Sequence, residues 1–193
     1  MLPLQVLENR LNQIPDRVLS EEFIRGRGLG NEIGFYVFDY LPEYEIKVRD
    51  SIKVVASELK RRRPDLKIAH VNLFELLTNY LEERRLLDRA LEMQIKKGDA
   101  AVRSALIAPL QAGKLAEVFV RKVEPLKQNL VLISGVGSVY PLLRSHTLLN
   151  NLHAVMGHTP LVMFYPGVYD GQHLRLFNLF DDEHYYRAFK LIN

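Results

Sequence analysis

Asn129-Leu-Val-Leu-Ile-Ser134 runs into Gly135-Val-Gly-Ser-Val-Tyr-Pro141, and Pro160-Leu-Val-Met-Phe-Tyr165 runs into Pro166-Gly167. Both are short unbroken apolar runs that end in a turn. Strands of a parallel sheet covered on both faces have this look, because neither face carries a solvent-side polar alternate. Between them, Leu142-Leu-Arg-Ser-His-Thr-Leu-Leu-Asn-Asn-Leu152 has helical spacing and Gly157 stops it. Strand, turn, helix, strand is the unit of an α/β sheet, whose ligands gather at the carboxyl ends of its strands.

Working outward, Gly34-Phe-Tyr-Val-Phe-Asp39 and the alternating Lys67-Ile-Ala-His-Val-Asn-Leu73 supply two further strands. Ala188–Ile192 predicts a terminal one. Leu4, Leu7, Leu11 and Ile14 space a first helix, which Pro15 should end or kink. Pro42 opens a helix with Glu43 and Glu45 early and Lys60-Arg-Arg-Arg63 late, matching the helix dipole. Its expected inward stripe is Ile46, Ile52, Val55 and Leu59. Residues 74–124 read as all-helical: one helix from Phe74 to about Lys97 with Leu87, Leu91 and Ile95 on its apolar side, then Ala100–Ala108, then Lys114 to about Glu124. The expected fold is one α/β domain over residues 1–193, a mainly parallel, three-layer Rossmann-like sheet sandwiched by helices. The helical block falls between the second and third strands. It is longer than a crossover needs, which suggests a surface for another protein, with Arg84, Arg85, Arg89 and Arg103 as contacts.

Composition sets broad limits. The 193 residues are 48% apolar and 25% charged, and 26 basic against 23 acidic residues leave a net charge of +3. That charge is too small to imply a polyanionic partner by itself. Cysteine is absent, which excludes disulfides and thiolate metal sites. No apolar run approaches the roughly 20 residues of a membrane span, and a cytoplasmic protein is the expectation.

Searches for chemistry return little. Gly135-Val-Gly137-Ser138 stands where a dinucleotide turn would, but position 140 is Tyr140 in place of the third glycine, and no acid ends the next strand. The glycine-rich 26–30 stretch precedes its strand, the reverse of a phosphate loop. Gly113-Lys114 lacks the following Ser or Thr. Asp39, Glu45 and Lys47 form a loose metal-nuclease pattern, although Glu45 and Lys47 sit two apart at a helix start and diverge. No cofactor and no metal are expected. What stands out is polar: Ser134, Gly135, Gly137, Ser138, Arg144 and His146, with Tyr169, Asp170 and Arg175 from the second strand's loop. They make a candidate cluster at the carboxyl edge of the sheet, either a ligand site or a supporting network.

Several of these stretches together resemble the BrxB family. They are Gly26-Arg-Gly-Leu-Gly-Asn-Glu32, Phe35-Tyr-Val-Phe-Asp-Tyr40, Ser134-Gly-Val-Gly-Ser-Val-Tyr-Pro141, Leu143-Arg-Ser-His-Thr-Leu-Leu-Asn-Asn151, Phe164-Tyr-Pro-Gly-Val-Tyr-Asp-Gly171 and Tyr185-Tyr-Arg-Ala-Phe-Lys-Leu-Ile192. BrxB is a component of BREX (bacteriophage exclusion) defence systems. The resemblance implies anti-phage work beside a DNA methyltransferase, the phosphatase-like PglZ, a large ATPase and sometimes a Lon-like protease. It implies no catalytic residues. The expected function is a non-catalytic adaptor that docks onto PglZ. The alternative is a degenerate nucleotide- or nucleic-acid-binding domain using the Gly135–Ser138 turn with Arg144 and Arg175, and direct DNA contact is the less supported partnership.

Overall fold

The computed structural model describes residues 3–24, 34–181 and 188–193. In chain order it runs α1 (Pro3–Leu19), α2 (Glu21–Ile24), β1 (Phe35–Tyr40), α3 (Glu45–Arg62), β2 (Ile68–Asn72), α4 (Leu73–Glu83), α5 (Leu87–Lys97), α6 (Asp99–Leu106), α7 (Ala112–Val123), β3 (Leu130–Ser134), α8 (Ser145–Met156), β4 (Leu161–Tyr169), β5 (Leu174–Leu176), β6 (Phe180–Asp181) and β7 (Phe189–Lys190). The main sheet has the order β2-β3-β4-β1-β7, and every pairing along it is parallel. β4 outruns its parallel partners and folds back as an antiparallel hairpin with β5, which pairs β6. The glycine-rich stretch at residues 26–30 lies outside the described residues.

Each central strand feeds two cores through the period-two alternation of its side chains. Phe35, Val37, Val131, Ile133, Leu161, Met163 and Tyr165 face α4, α7 and α8. Tyr36, Phe38, Tyr40, Leu132, Val162 and Phe164 face α1 and α3. This double coverage is why the runs at 130–134 and 161–165 contain no polar alternate before Ser134.

Three helical expectations need correction. Pro15 does not end α1, which runs on to Leu19, because Leu7, Leu11, Ile14 and Val18 form one buried stripe whose packing outweighs a missing hydrogen bond. In α3 the stripe is Val48, Ile52, Val55 and Leu59, whereas Ile46 is 66% exposed. Ile46 stands two residues before Val48, which puts it on the opposite side of the helix. The long helix expected from Phe74 to Lys97 breaks after Glu83. The Arg85 N–H bonds the Glu82 carbonyl and the Leu86 N–H bonds the Leu81 carbonyl, the paired bonds of a Schellman cap. Arg85 takes the left-handed conformation (φ 55°) that glycine normally fills there. No glycine announced the break.

Candidate functional site

β3 delivers Ser134 to the carboxyl edge, 3% exposed, with its Oγ 2.8 Å from His70 Nε2 on β2. Desolvation of the imidazole, reinforced by the charge of Lys53, holds the His70 pKa below its ordinary value, against an opposing pull from Glu75. Gly135 follows with φ +72°, and a Cβ there would stand 2.5 Å from Asn72 Oδ1. Asn72 cannot give way cheaply, since that oxygen accepts from the N–H groups of Phe74 and Glu75 at 3.0 and 3.3 Å and caps α4. A Cβ on Gly137 would lie 2.7 Å from the Phe177 ring. The two glycines are therefore accounted for by close approach, of Asn72 at one and Phe177 at the other. Ser138 is exposed beyond them.

The strand-and-hairpin half of the cluster faces elsewhere. The buried Tyr169 donates its hydroxyl to the Ala188 carbonyl at 2.7 Å and its N–H to Asp39 Oδ2 at 3.2 Å. Asp170 accepts 2.7 Å bonds from the N–H groups of Gln172 and His173 and shapes the β4–β5 turn. Those backbone bonds keep its carboxyl below the ordinary carboxylate range. Arg175 is exposed opposite Val168. Leu174 and Leu176 on either side of it are buried in the core, so Arg175 projects from the other face of β5.

A cleft of about 310 Å³ opens between the β3–α8 connection and the β5–β6 hairpin, lined by Tyr140, Arg144, Ser145, Tyr165, Leu176, Leu179 and Phe180. Of the eight candidates besides His146, only Arg144 lines it among the described residues. The His146 side chain lies outside the described residues. Tyr140 and Phe180 stack across the cleft's rim with ring centroids 4.8 Å apart. Neither stood out in the sequence as a site residue; an aromatic in each of the two connections that meet here was the available signal.

The nuclease-like trio separates into three pairings. Asp39, 7% exposed, takes a 2.6 Å bond from Arg10 Nη2 and a 3.3 Å contact from Lys190 Nζ. Glu45 accepts from the Tyr40 hydroxyl at 2.5 Å, where burial and then the Glu45 charge raise the phenol's pKa. Lys47 pairs with Glu8 at 2.7 Å. Among the described residues no three His, Asp or Glu side chains gather to hold a metal.

The basic run at the end of α3 is also engaged. Glu58 accepts from Arg61 and Arg62, Arg62 reaches Asp16, and Arg63 pairs with Asp65. The other prominent surface is apolar. No residue of α5 is buried; Leu87 and Ala90 lean on the core, while Leu91, Ile95 and, past α6, Ile107 are 51%, 86% and 61% exposed. Arg84, Arg89 and Arg103 are exposed as well, with Arg84 lying over the Tyr80 ring at 5.6 Å.

The family model described as BREX protein BrxB matches residues 69–191. The chain belongs to the BrxB family. A BREX protein BrxB of Escherichia coli O9:H4 (strain HS) is 39% identical over 187 residues, covering 97% of this chain and 92% of its own. Another, of Bacillus cereus (strain H3081.97), is 41% identical over 191 residues, covering 97% of this chain and 98% of its own. No solved structure matches. The BrxB match spans the carboxyl-edge turns, the cleft and the α5–α6 pair alike, so it favours none of these surfaces over another. No described helix is long and apolar enough to cross a membrane.

Proposed function

We propose that this BREX protein acts without catalysis, as an assembly component that docks onto PglZ through α5 and α6. One observation carries the reading: a helix pair whose first member buries no side chain and which presents Leu91, Ile95 and Ile107 to solvent. An amphipathic helix gains its stability from covering an apolar stripe. Here the stripe on α5 is only partly covered: Leu87 and Ala90 pack on the domain, while Leu91 and Ile95 further along are largely exposed. Exposed large apolar side chains on one element, with exposed arginines elsewhere on the same helices, are the residue types from which interface cores and rims are built.

The competing reading has less behind it: the glycines of the Gly135–Ser138 turn have packing reasons in Asn72 and Phe177, and the basic run Arg61, Arg62 and Arg63 is ion-paired to carboxylates. The test is co-purification of the tagged chain with the other BREX proteins from cells that carry the whole system. PglZ is expected to come through in stoichiometric amount at high salt. Its absence, with nuclease-sensitive DNA retained instead, refutes the adaptor reading.

A further inference from the structure

Beside that interface stands a second feature, the cleft between the β3–α8 connection and the β5–β6 hairpin. We infer that it binds a single nucleotide unit, one nucleobase with one phosphate group. Three independent properties of the lining converge on this chemistry.

The first is charge. Arg144 is exposed, and among the described residues its guanidinium has neither hydrogen bond nor ion pair, whereas Arg10, Arg61, Arg62 and Arg63 are each held by a carboxylate. A guanidinium fork suits a phosphate oxygen pair. Beside it the Ser145 hydroxyl and the start of α8, whose N-cap makes no side-chain bond, add donors for the same anion. Among the described residues the cleft is lined by one cation and no lysine, which fits one phosphate and not a triphosphate chain.

The second is the aromatic pair. Phe180 stacks on Tyr140 yet remains 45% exposed, and Leu179 next to it is 74% exposed. Exposed aromatic surface beside a cation is how single-stranded nucleotides are gripped without base-edge readout. The third is size. About 310 Å³ lies at the lower end of the range of roughly 300–1,000 Å³ for small-molecule pockets, enough for one nucleotide and too little for a dinucleotide. At the neighbouring turn Gly135 and Gly137 are accounted for by the close approach of Asn72 and Phe177, and the donors that line the cleft are side chains.

The unit has two sources, a free nucleoside monophosphate or one residue of a single strand. Isothermal titration of the full chain with AMP, adenosine and a short single-stranded oligonucleotide separates them. Saturable AMP binding is expected, with adenosine at least tenfold weaker. Binding of the oligonucleotide but not of AMP places the unit within a strand and supports the same site. In either case Arg144→Ala should weaken binding at least tenfold with an unchanged melting temperature, Arg144→Lys less, and Phe180→Ala should weaken adenosine as well. No saturable binding of either probe at millimolar concentration overturns the proposal, as does full affinity in Arg144→Ala. Neither outcome depends on PglZ, so the adaptor reading stands or falls separately.

Discussion

Replacing Asp39 with alanine should destabilise the whole domain, because this carboxylate fastens three distant parts of the chain. It binds Arg10 of α1 at 2.6 Å, Lys190 of β7 at 3.3 Å and the Tyr169 N–H at the end of β4 at 3.2 Å. Truncation leaves the Tyr169 N–H without its acceptor and Arg10 without its counter-charge. Removing one member of a buried charge pair costs about 3–5 kcal/mol when the other is wholly stranded. Arg10 is not: it keeps the Asp39 carbonyl at 2.8 Å and the Ile192 carbonyl at 3.1 Å, and its guanidinium lies over the Phe38 ring at 4.8 Å. The lower end, about 3 kcal/mol, is therefore expected. At roughly 2–4 °C per kcal/mol for a chain of this size, the melting temperature should fall by roughly 6–12 °C. Arg10→Met leaves Asp39 its other two partners and should cost about half as much, on the order of a charged hydrogen bond. Urea unfolding followed by far-ultraviolet circular dichroism suits a chain without tryptophan. The double variant should fall short of the sum of the single losses by about 1 kcal/mol or more. An Asp39→Ala protein within about 1 kcal/mol of the parent, with additive double-variant losses, refutes the network as a fastening.

Two further outcomes follow from named contacts. Gly137→Ala places a methyl 2.7 Å from the Phe177 ring, an overpacking expected to cost about 1–3 kcal/mol, and Phe177→Leu in the same chain should recover part of it in the same unfolding assay. The guanidiniums of Arg61 and Arg62 hold the exposed Glu58 carboxyl down at about 2, below its ordinary 4.5. A depressed carboxylate adds stability above the ordinary range and loses it as pH falls toward the folded value, so a carboxyl-carbon NMR titration should place the Glu58 midpoint near 2 and show it rise in Arg61→Ala/Arg62→Ala.

What the sequence disclosed was local and periodic. The unbroken apolar runs gave β3 and the first half of β4, and alternation gave β2, because a strand covered on both faces shows itself in consecutive residues. The β5–β6 hairpin escaped: its strands are three and two residues long, below the length at which a period can be recognised. Arg85 filled a glycine position and hid the end of α4. The Arg10–Asp39 pair joins residues 29 apart, and nothing in α1 distinguishes Arg10 from any other polar residue of an amphipathic helix. The same holds at the cleft, where Arg144 was a candidate and Tyr140 and Phe180 were not, since the stack exists only once the hairpin folds against the β3–α8 connection. Gly135 and Gly137, read as a possible ligand turn, have steric reasons in Asn72 and Phe177, which sequence alone cannot separate from functional ones.

The adaptor claim is tested most directly by titrating purified PglZ with the parent protein and with Ile95→Asp and Arg89→Glu/Arg103→Glu variants. Ile95 is 86% exposed, so its substitution leaves the core intact and melting temperatures should match the parent. A central interface anchor is worth at least about 2 kcal/mol, so Ile95→Asp should weaken binding about thirtyfold, and the charge reversals should weaken it by a smaller factor that shrinks with salt. Parent-like affinity in both variants, or no PglZ binding by the parent, contradicts the account.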